Sequence, residues 1–335
     1  MDKYLGRTIK NDLINAYGVT VIPAMSILNT GHLELIQKQR IDIFDIIFVE
    51  QEQEQAPPYQ QAVDSIVDTS RDLFESYRIT GEIPLTDIKK EVVPAIQEIS
   101  RNPDIFALFN AVRGKDDYTY QHNIGVGVLS TLMGRWLEMG EEELSLLSLA
   151  ATLHDIGKLK IPDEILNKPG KLTEDEFSLV KKHTLFGYEM LKERMGGDSP
   201  VALAALQHHE RNDGGGYPHG LKEEQIGFFS KIIAVADIFH AMSSKRPYHE
   251  PIPFHIIVDQ MRRGSFGALD PHIVAVFLEN IVKRTVGRGV VLTDGRVGEI
   301  VYLNPHNIET PLIRIGDEYI DLSKRTELNI REISI

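Results

Sequence analysis

No cysteine occurs among the 335 residues. That removes disulfide frameworks, thiolate zinc sites, iron–sulfur clusters and cysteine nucleophiles. Basic residues are outnumbered 36 to 49, for a formal charge of −13. Duplex nucleic acid requires a basic footprint and is not an expected partner. A small anionic ligand stays open, because bound metal ions supply positive charge that composition does not count. There is no run of 18 apolar residues and no early apolar h-region, so neither a membrane span nor a signal peptide is expected, and the cytoplasm is the expected location. The remainder is ordinary globular composition, long enough for two domains or three small ones without covalent staples.

Residues 1–56 read as a small mixed α/β module. Val19–Ile22 and Ile46–Val49 are β-branched runs, and His32–Gln39 suits a short helix. Gln51–Pro58 is polar and ends in two prolines, which fits a linker or a plain surface loop equally. From Tyr59 to about Arg284 the rhythm is helical. Val63, Ile66, Val67, Leu73, Phe74 and Tyr77 recur at 3.6 residues until Gly81 and Pro84, and further helices are expected from Leu85 and after Pro103. After Thr285 the period becomes two: Val290–Leu292, an Asp294–Gly295 turn, Val297–Leu303, then Leu312–Ile315 and Tyr319–Leu322. The expected architecture is mainly α. A helical linker spans 57–99, a helical catalytic domain 100–285 and a small C-terminal β module 286–335.

Several histidines stand where apolar residues belong. His122 shares a face with Val126, Leu129 and Met133. His154 continues the inward stripe of a helix read over Ser145–Ile156. His183 is placed in the stripe Phe177, Val180, Tyr188 and Leu191, on a helix opened by the capping box Thr173/Glu176. Asp237 follows Ile233 on Ser230–Met242. One such histidine is best explained as a satisfied core residue. Four inward polar groups, with the pairs His154–Asp155 and His208–His209, are better explained by one shared metal centre. Sulfur-free imidazole and carboxylate donors suit iron, manganese or zinc better than copper(I). A carboxylate beside a histidine can bridge two ions, an arrangement suited to in-line attack on phosphorus. Lys158, one turn beyond His154, can set an ammonium on a phosphate oxygen. Three consecutive glycines in His208–Gly220 permit close backbone approach, and Tyr217 offers a ring face or a hydroxyl.

These residues resemble the HD-GYP family of the HD phosphohydrolase superfamily. The resemblance lies in His154-Asp155-Ile156-Gly157-Lys158, in the long string from His208 to Pro218 (HHERNDGGGYP), and in the spacing of Tyr118–His122, Asn167–Thr173, Lys182–His183, Ala236–Asp237 and Arg246–Tyr248 over residues 100–285. It implies an all-helical metal-dependent domain that hydrolyses cyclic di-GMP to the linear dinucleotide and, in some members, to GMP. The implied metal ligands are His122, His154, Asp155, His183, His208, His209 and Asp237. Lys158 would contact the scissile phosphate, Arg246 would hold a phosphate, and Tyr217 would line the substrate. Contacts of the glycine loop with GGDEF synthase domains are also implied. A homodimer through residues 59–113 is an expectation without a sustained heptad behind it.

The chain departs from the family pattern at three places. Tyr118 replaces a glutamate of three-metal members, which points to two ions, iron or manganese ahead of zinc or magnesium. His240 stands where a second aspartate is usual; it reads as a hydrogen-bonding neighbour of the ligands, ahead of an extra ligand. His249 replaces a basic residue and would grip phosphate more weakly at neutral pH, its unperturbed pKa being about 6.5. The acid for the departing oxygen is open between Asp213, Tyr217 and solvent. Two other functions compete: a cyclic dinucleotide receptor that does not cleave, and a hydrolase of another nucleotide.

Overall fold

The computed structural model describes residues 9–10, 13–14, 20–23, 26, 28–39, 46, 58–102, 104–112, 118–243, 252, 254–264, 267–304, 307–325 and 327–333. Contacts divide the chain into two compact units, Met1–Pro57 and Pro58–Ile335.

In the first unit β1 (Leu13–Ile14) pairs antiparallel with β2 (Thr20–Ile22), and α1 (Thr30–Lys38) follows. Asn29 opens α1 by accepting the His32 N–H at 2.9 Å, a cap for an otherwise orphaned donor. Leu13, Ile22, Leu28, Leu33, Ile36 and Ile46 close a small core. Ile46 joins that core without forming a strand; the rest of the run read over Ile46–Val49, and the stretch 51–57, lie outside the described residues.

The second unit opens with α2 (Pro58–Thr80), proline standing at the first turn where its missing N–H costs nothing. A nearly continuous helical run follows: α3 (Leu85–Asp87), a π turn over Ile88–Val92, and α4 (Val93–Ile99). Next come α5 (Ile105–Val112), α6 (Tyr118–Trp136) and α7 (Glu141–Leu153). A 3-10 turn over Ile156–Lys160 leads to α8 (Asp163–Leu166), α9 (Glu174–Lys181), α10 (His183–Met195) and α11 (Pro200–Gln207). The helices end with α12 (Phe228–Ser243), α13 (Phe254–Gly264) and α14 (Pro271–Lys283). Their apolar faces meet in one core, which includes Phe74, Leu108, Leu129, Leu147, Val235 and Phe277. Burying each such side chain contributes about 1.5–3 kcal/mol.

The chain closes with β3 (Gly289–Leu292), β4 (Val297–Asn304), β5 (Asn307–Ile315), β6 (Glu318–Asp321) and β7 (Ile330–Ile333), an antiparallel sheet in the order β6-β5-β4-β3-β7. Alternation puts Val290, Leu292, Ile300, Ile313 and Ile320 on its buried face. The pairing of β7 with β3 has no counterpart in the sequence reading.

Two helices end earlier than their periodicity suggests, and both breaks shape the site. The helix read over Ser145–Ile156 stops at Leu153, with His154 at its cap and Asp155 between it and the 3-10 turn. A Cβ on Gly157 would fall 1.9 Å from the His183 carbonyl oxygen and 2.5 Å from the Gly187 nitrogen. The turn therefore lies backbone to backbone on α10, which a continuing helix could not do. The second break is at Lys182, whose N–H bonds three residues back to Leu179. His183 thus begins a new helix and does not share the face of Phe177, which is 49% exposed beneath Lys181. The capping box of α9 is present: Thr173 Oγ1 accepts from the Glu176 N–H, and Glu176 accepts from the Thr173 N–H.

Candidate metal centre

Four helices and the α7–turn junction bring seven side chains together. The atoms facing inward fall into two groups, each within 4.8 Å: Asp155, His183, His208 and His209, and His122, His154 and Asp237. His122 comes from the middle of α6, where it is buried beside Val126 and Leu129. His154 and Asp155 come from the break after α7, His183 from the start of α10, His208 and His209 from the end of α11, and Asp237 from α12.

The backbone fixes how three of the rings point. His154 Nδ1 donates to the Ala151 carbonyl at 2.7 Å, His183 Nδ1 to Val180 at 2.7 Å, and His208 Nδ1 to Ala204 at 3.0 Å. Each carbonyl belongs to the preceding turn, so these rings carry their proton on Nδ1 and aim Nε2 inward. Asp155 lies between them. Its Oδ1 faces His183 Nε2 at 3.2 Å and His208 Nε2 at 3.7 Å. Its Oδ2 faces His154 Nε2 at 3.4 Å and His122 Nε2 at 3.7 Å. One carboxylate therefore presents an oxygen to each group. Asp237 faces His122 Nε2 at 3.1 Å and His209 Nδ1 at 3.9 Å.

The electrostatics agree with deprotonated donors. Burial pushes His154 down to about 3, lowers His183, and takes His209 well below its usual value, the neighbouring His208 adding to the last. Burial alone would raise both carboxyls. Lys158 with the surrounding imidazoles outweighs it at Asp155, and His122 and His209 outweigh it at Asp237, so both are held well below the ordinary carboxylate range. Neutral imidazoles whose Nε2 lone pairs face an ionised carboxylate leave acceptors opposite acceptors. Among the described residues His154 Nε2 and Asp155 Oδ1 are buried with no hydrogen-bond partner, and His183 Nε2 lies 3.3 Å from His208 Nε2. Orphaned acceptors of this kind cost about 1–3 kcal/mol each. A cation at each group satisfies them, and an all-nitrogen and oxygen donor set suits a divalent one.

Around this cluster the other expected residues divide. Lys158 Nζ pairs with Asp155 Oδ2 at 2.5 Å. The Tyr217 ring lies 4.8 Å from that of His209, with the Lys181 ammonium 5.9 Å from its centre, and burial raises its phenol. Asp213 is committed elsewhere: its oxygens take the Arg211 guanidinium and the Gly215 N–H, and these contacts hold it down to about 2. It has no proton to give at neutral pH. Arg246, His249 and the side chain of Tyr118 lie outside the described residues. In the glycine loop Gly214 has a φ of 79°, and a Cβ on Gly216 would meet Arg211 N at 2.5 Å. Glu210 did not stand out in the sequence. It is buried and accepts the His219 and Leu221 N–H groups at 2.7 and 2.9 Å, closing the loop on itself. Nothing in its spacing signals this, because the groups it holds are backbone.

Comparison with known proteins adds three findings. The family described as HD domain matches residues 107–273. A cyclic di-GMP phosphodiesterase of Pseudomonas aeruginosa is 36% identical over 243 residues, 72% of this chain and 58% of the relative. A 3′3′-cGAMP-specific phosphodiesterase of Vibrio cholerae is 38% identical over 172 residues, 51% of this chain and 40% of the relative. The chain thus spans about half the length of these curated relatives. Among solved structures, an HDG"Y"P protein from Bdellovibrio bacteriovorus superposes over 84% of this chain and 97% of its own, with a TM-score of 0.53 at 17% identity, which shows a shared fold.

Proposed function

Because residues 107–273 belong to the HD-domain family, we propose that this chain is a metal-dependent phosphodiesterase that hydrolyses cyclic di-GMP to linear pGpG, with GMP as a further product. The observation that carries the reading is the convergence of buried Nε2 lone pairs on the two oxygens of Asp155. His183, His208 and His209 would hold one divalent cation, His122, His154 and Asp237 a second, and Asp155 would serve both. Iron or manganese suits these donors. When bound, the cations supply charge that offsets repulsion between the phosphodiester and its attacker, and lower the pKa of a water toward about 7.

The protein's own groups do the rest. The Nδ1–carbonyl hydrogen bonds keep the rings turned inward. Lys158 lies beside Asp155 with 27% of its side chain exposed, and its ammonium can meet a phosphate oxygen as charge builds there. Tyr217 keeps its proton, so its hydroxyl can donate to the substrate. Since Asp213 has no proton to offer, the departing oxygen takes its proton from solvent or Tyr217. Arg246 and His249 complete the grip on phosphate in this reading, and the exposed Arg211, Asp213 and Gly215 are what a GGDEF partner would meet.

His154→Ala and Asp155→Ala are expected to lose bound metal and turnover together. Elemental analysis of anaerobically purified protein, run beside product chromatography, measures both. Full metal and full activity in either variant overturns the scheme. The Vibrio relative makes 3′3′-cGAMP the second substrate to run alongside. Metal-replete protein that binds a cyclic dinucleotide and yields no product from either is a receptor instead.

A further inference from the structure

His240 sits one turn beyond Asp237 on α12, fully within the buried face, and makes two hydrogen bonds that fix its proton. Its Nε2 lies 3.0 Å from the carbonyl oxygen of Val112, the last residue of α5. A carbonyl only accepts, so that nitrogen donates. The final carbonyls of a helix have no donor within the helix and sit at its negative end, which makes this an apt terminus for a polarised chain. Its Nδ1 lies 3.1 Å from His122 Nδ1. A neutral His240 therefore offers a lone pair there, and His122 donates into it. With its proton held on Nδ1, His122 presents Nε2 as a lone pair toward Asp237 and Asp155.

Room for this ring is built into α6. A Cβ on Gly125 would fall 2.2 Å from His240 Nε2 and 2.4 Å from its Cδ2. Gly125 lies three residues beyond His122 on the same helix face, so one helix provides both the ring that is oriented and the space for the ring that orients it.

We propose that His240 is a positioning residue: with Val112 O and the gap at Gly125, it sets the tautomer of His122 and thereby builds the cation position shared with His154 and Asp237. The inference rests on the metal-dependent reading above. His154, His183 and His208 obtain the same orientation from carbonyls one turn back. His122, in mid-helix, obtains it from another helix. The position on the His122 side is therefore more easily weakened than the one on the His183 side.

Metal-depleted full-length protein is titrated with Mn2+ by calorimetry, and 15N-histidine-labelled protein is followed by NMR with diamagnetic Zn2+. Wild type should show two Mn2+ steps, and His122 protonated on Nδ1 once Zn2+ is bound. His240→Leu should weaken one step about 10–100-fold and leave the other in place, the range found when a ligand's orienting partner is removed. His240→Asn, whose Oδ1 can accept from His122 as Nδ1 does, should recover most of the loss. Gly125→Ala should reproduce the leucine phenotype in a folded protein, alanine being the better helix former; it carries the test if His240→Leu does not fold. Wild-type affinities in both His240→Leu and Gly125→Ala, or equal losses in the leucine and asparagine variants, overturn the relay and leave the phosphodiesterase reading standing. Wild type that takes up no Mn2+ overturns both.

Discussion

The ammonium of Lys158 lies 2.5 Å from Asp155 Oδ2, yet more than a quarter of its side chain is open to solvent. It can neutralise the carboxylate when cations are absent and face a phosphate when they are present. Lys158→Met is therefore expected to keep its bound metal and lose about 10²–10³ in kcat, the range for removing one preorganised donor to developing charge. Metal analysis and steady-state kinetics separate this outcome from loss of the centre. Asp213 is the contrasting case. Its carboxylate closes the glycine loop through Arg211 and the Gly215 N–H and is ionised down to about 2. Asp213→Asn should leave the alkaline and acidic limbs of the pH–rate profile where they are; a lost limb would restore it as the proton donor. Both residues looked like substrate contacts in sequence, because identity shows charge and not what already occupies it. Among the clustered residues, His122, His154 and Asp237 were visible for the opposite reason, and Asp155, His208 and His209 as members of adjacent pairs. A histidine between Val126 and a preceding helical turn, or an aspartate four residues past Ile233, contradicts its own apolar face, and that contradiction is local.

At the scale of elements, the site depends on breaks that periodicity conceals. The stripe of α7 runs on through Ile156, yet the helix ends at Leu153 because the next turn must lie flat on α10. Successive positions on a continuing helix would splay His154 and Asp155 about 100° apart; the break lets both face one point. The join between α9 and α10 does the same for His183. Such breaks come from contacts between distant segments, which is why the capping box at Thr173 was legible and the stop at Lys181 was not. The strand β7, split from β3 by three other strands, was hidden likewise. Gly157 is the test of the backbone contact. Gly157→Ala places a methyl 1.9 Å from the His183 carbonyl oxygen, and neither partner is a side chain that can turn aside. The expected cost is about 1–3 kcal/mol, as for overpacking in a tight core, with weaker metal binding on the His183 side, read by thermal melting and by Mn2+ titration. An unchanged melt with two unchanged Mn2+ steps would show that the turn and α10 do not depend on this approach.

For the molecule as a whole, the buried cluster ties stability to protons and to metal at once. In the unfolded chain each imidazole takes up a proton near 6.5. In the folded, metal-free protein His154 stays neutral down to about 3, and His183 and His209 shift the same way. Between those values the unfolded state binds more protons, so stability falls as pH falls. Asp155 and Asp237 act in the same direction at lower pH, since their folded forms stay ionised below the ordinary carboxylate range. Metal bound only by the folded state adds about 2.7 kcal/mol at a free concentration one hundred times Kd. For a domain of this size that corresponds to roughly 5–10 °C in Tm. Burial keeps these Nε2 atoms unprotonated in the folded protein, so protons begin to compete with the cations only far below the ordinary imidazole range. The Tm difference between Mn2+-loaded and chelated protein is therefore expected to change little between pH 7.5 and pH 5, while both forms lose stability as the unfolded chain takes up protons. Melts at a series of pH values, with free Mn2+ held fixed, measure both slopes. A difference that shrinks steeply over that range would mean that the stabilising ion sits on other donors, ones that are protonated in the folded protein and must lose a proton to bind it.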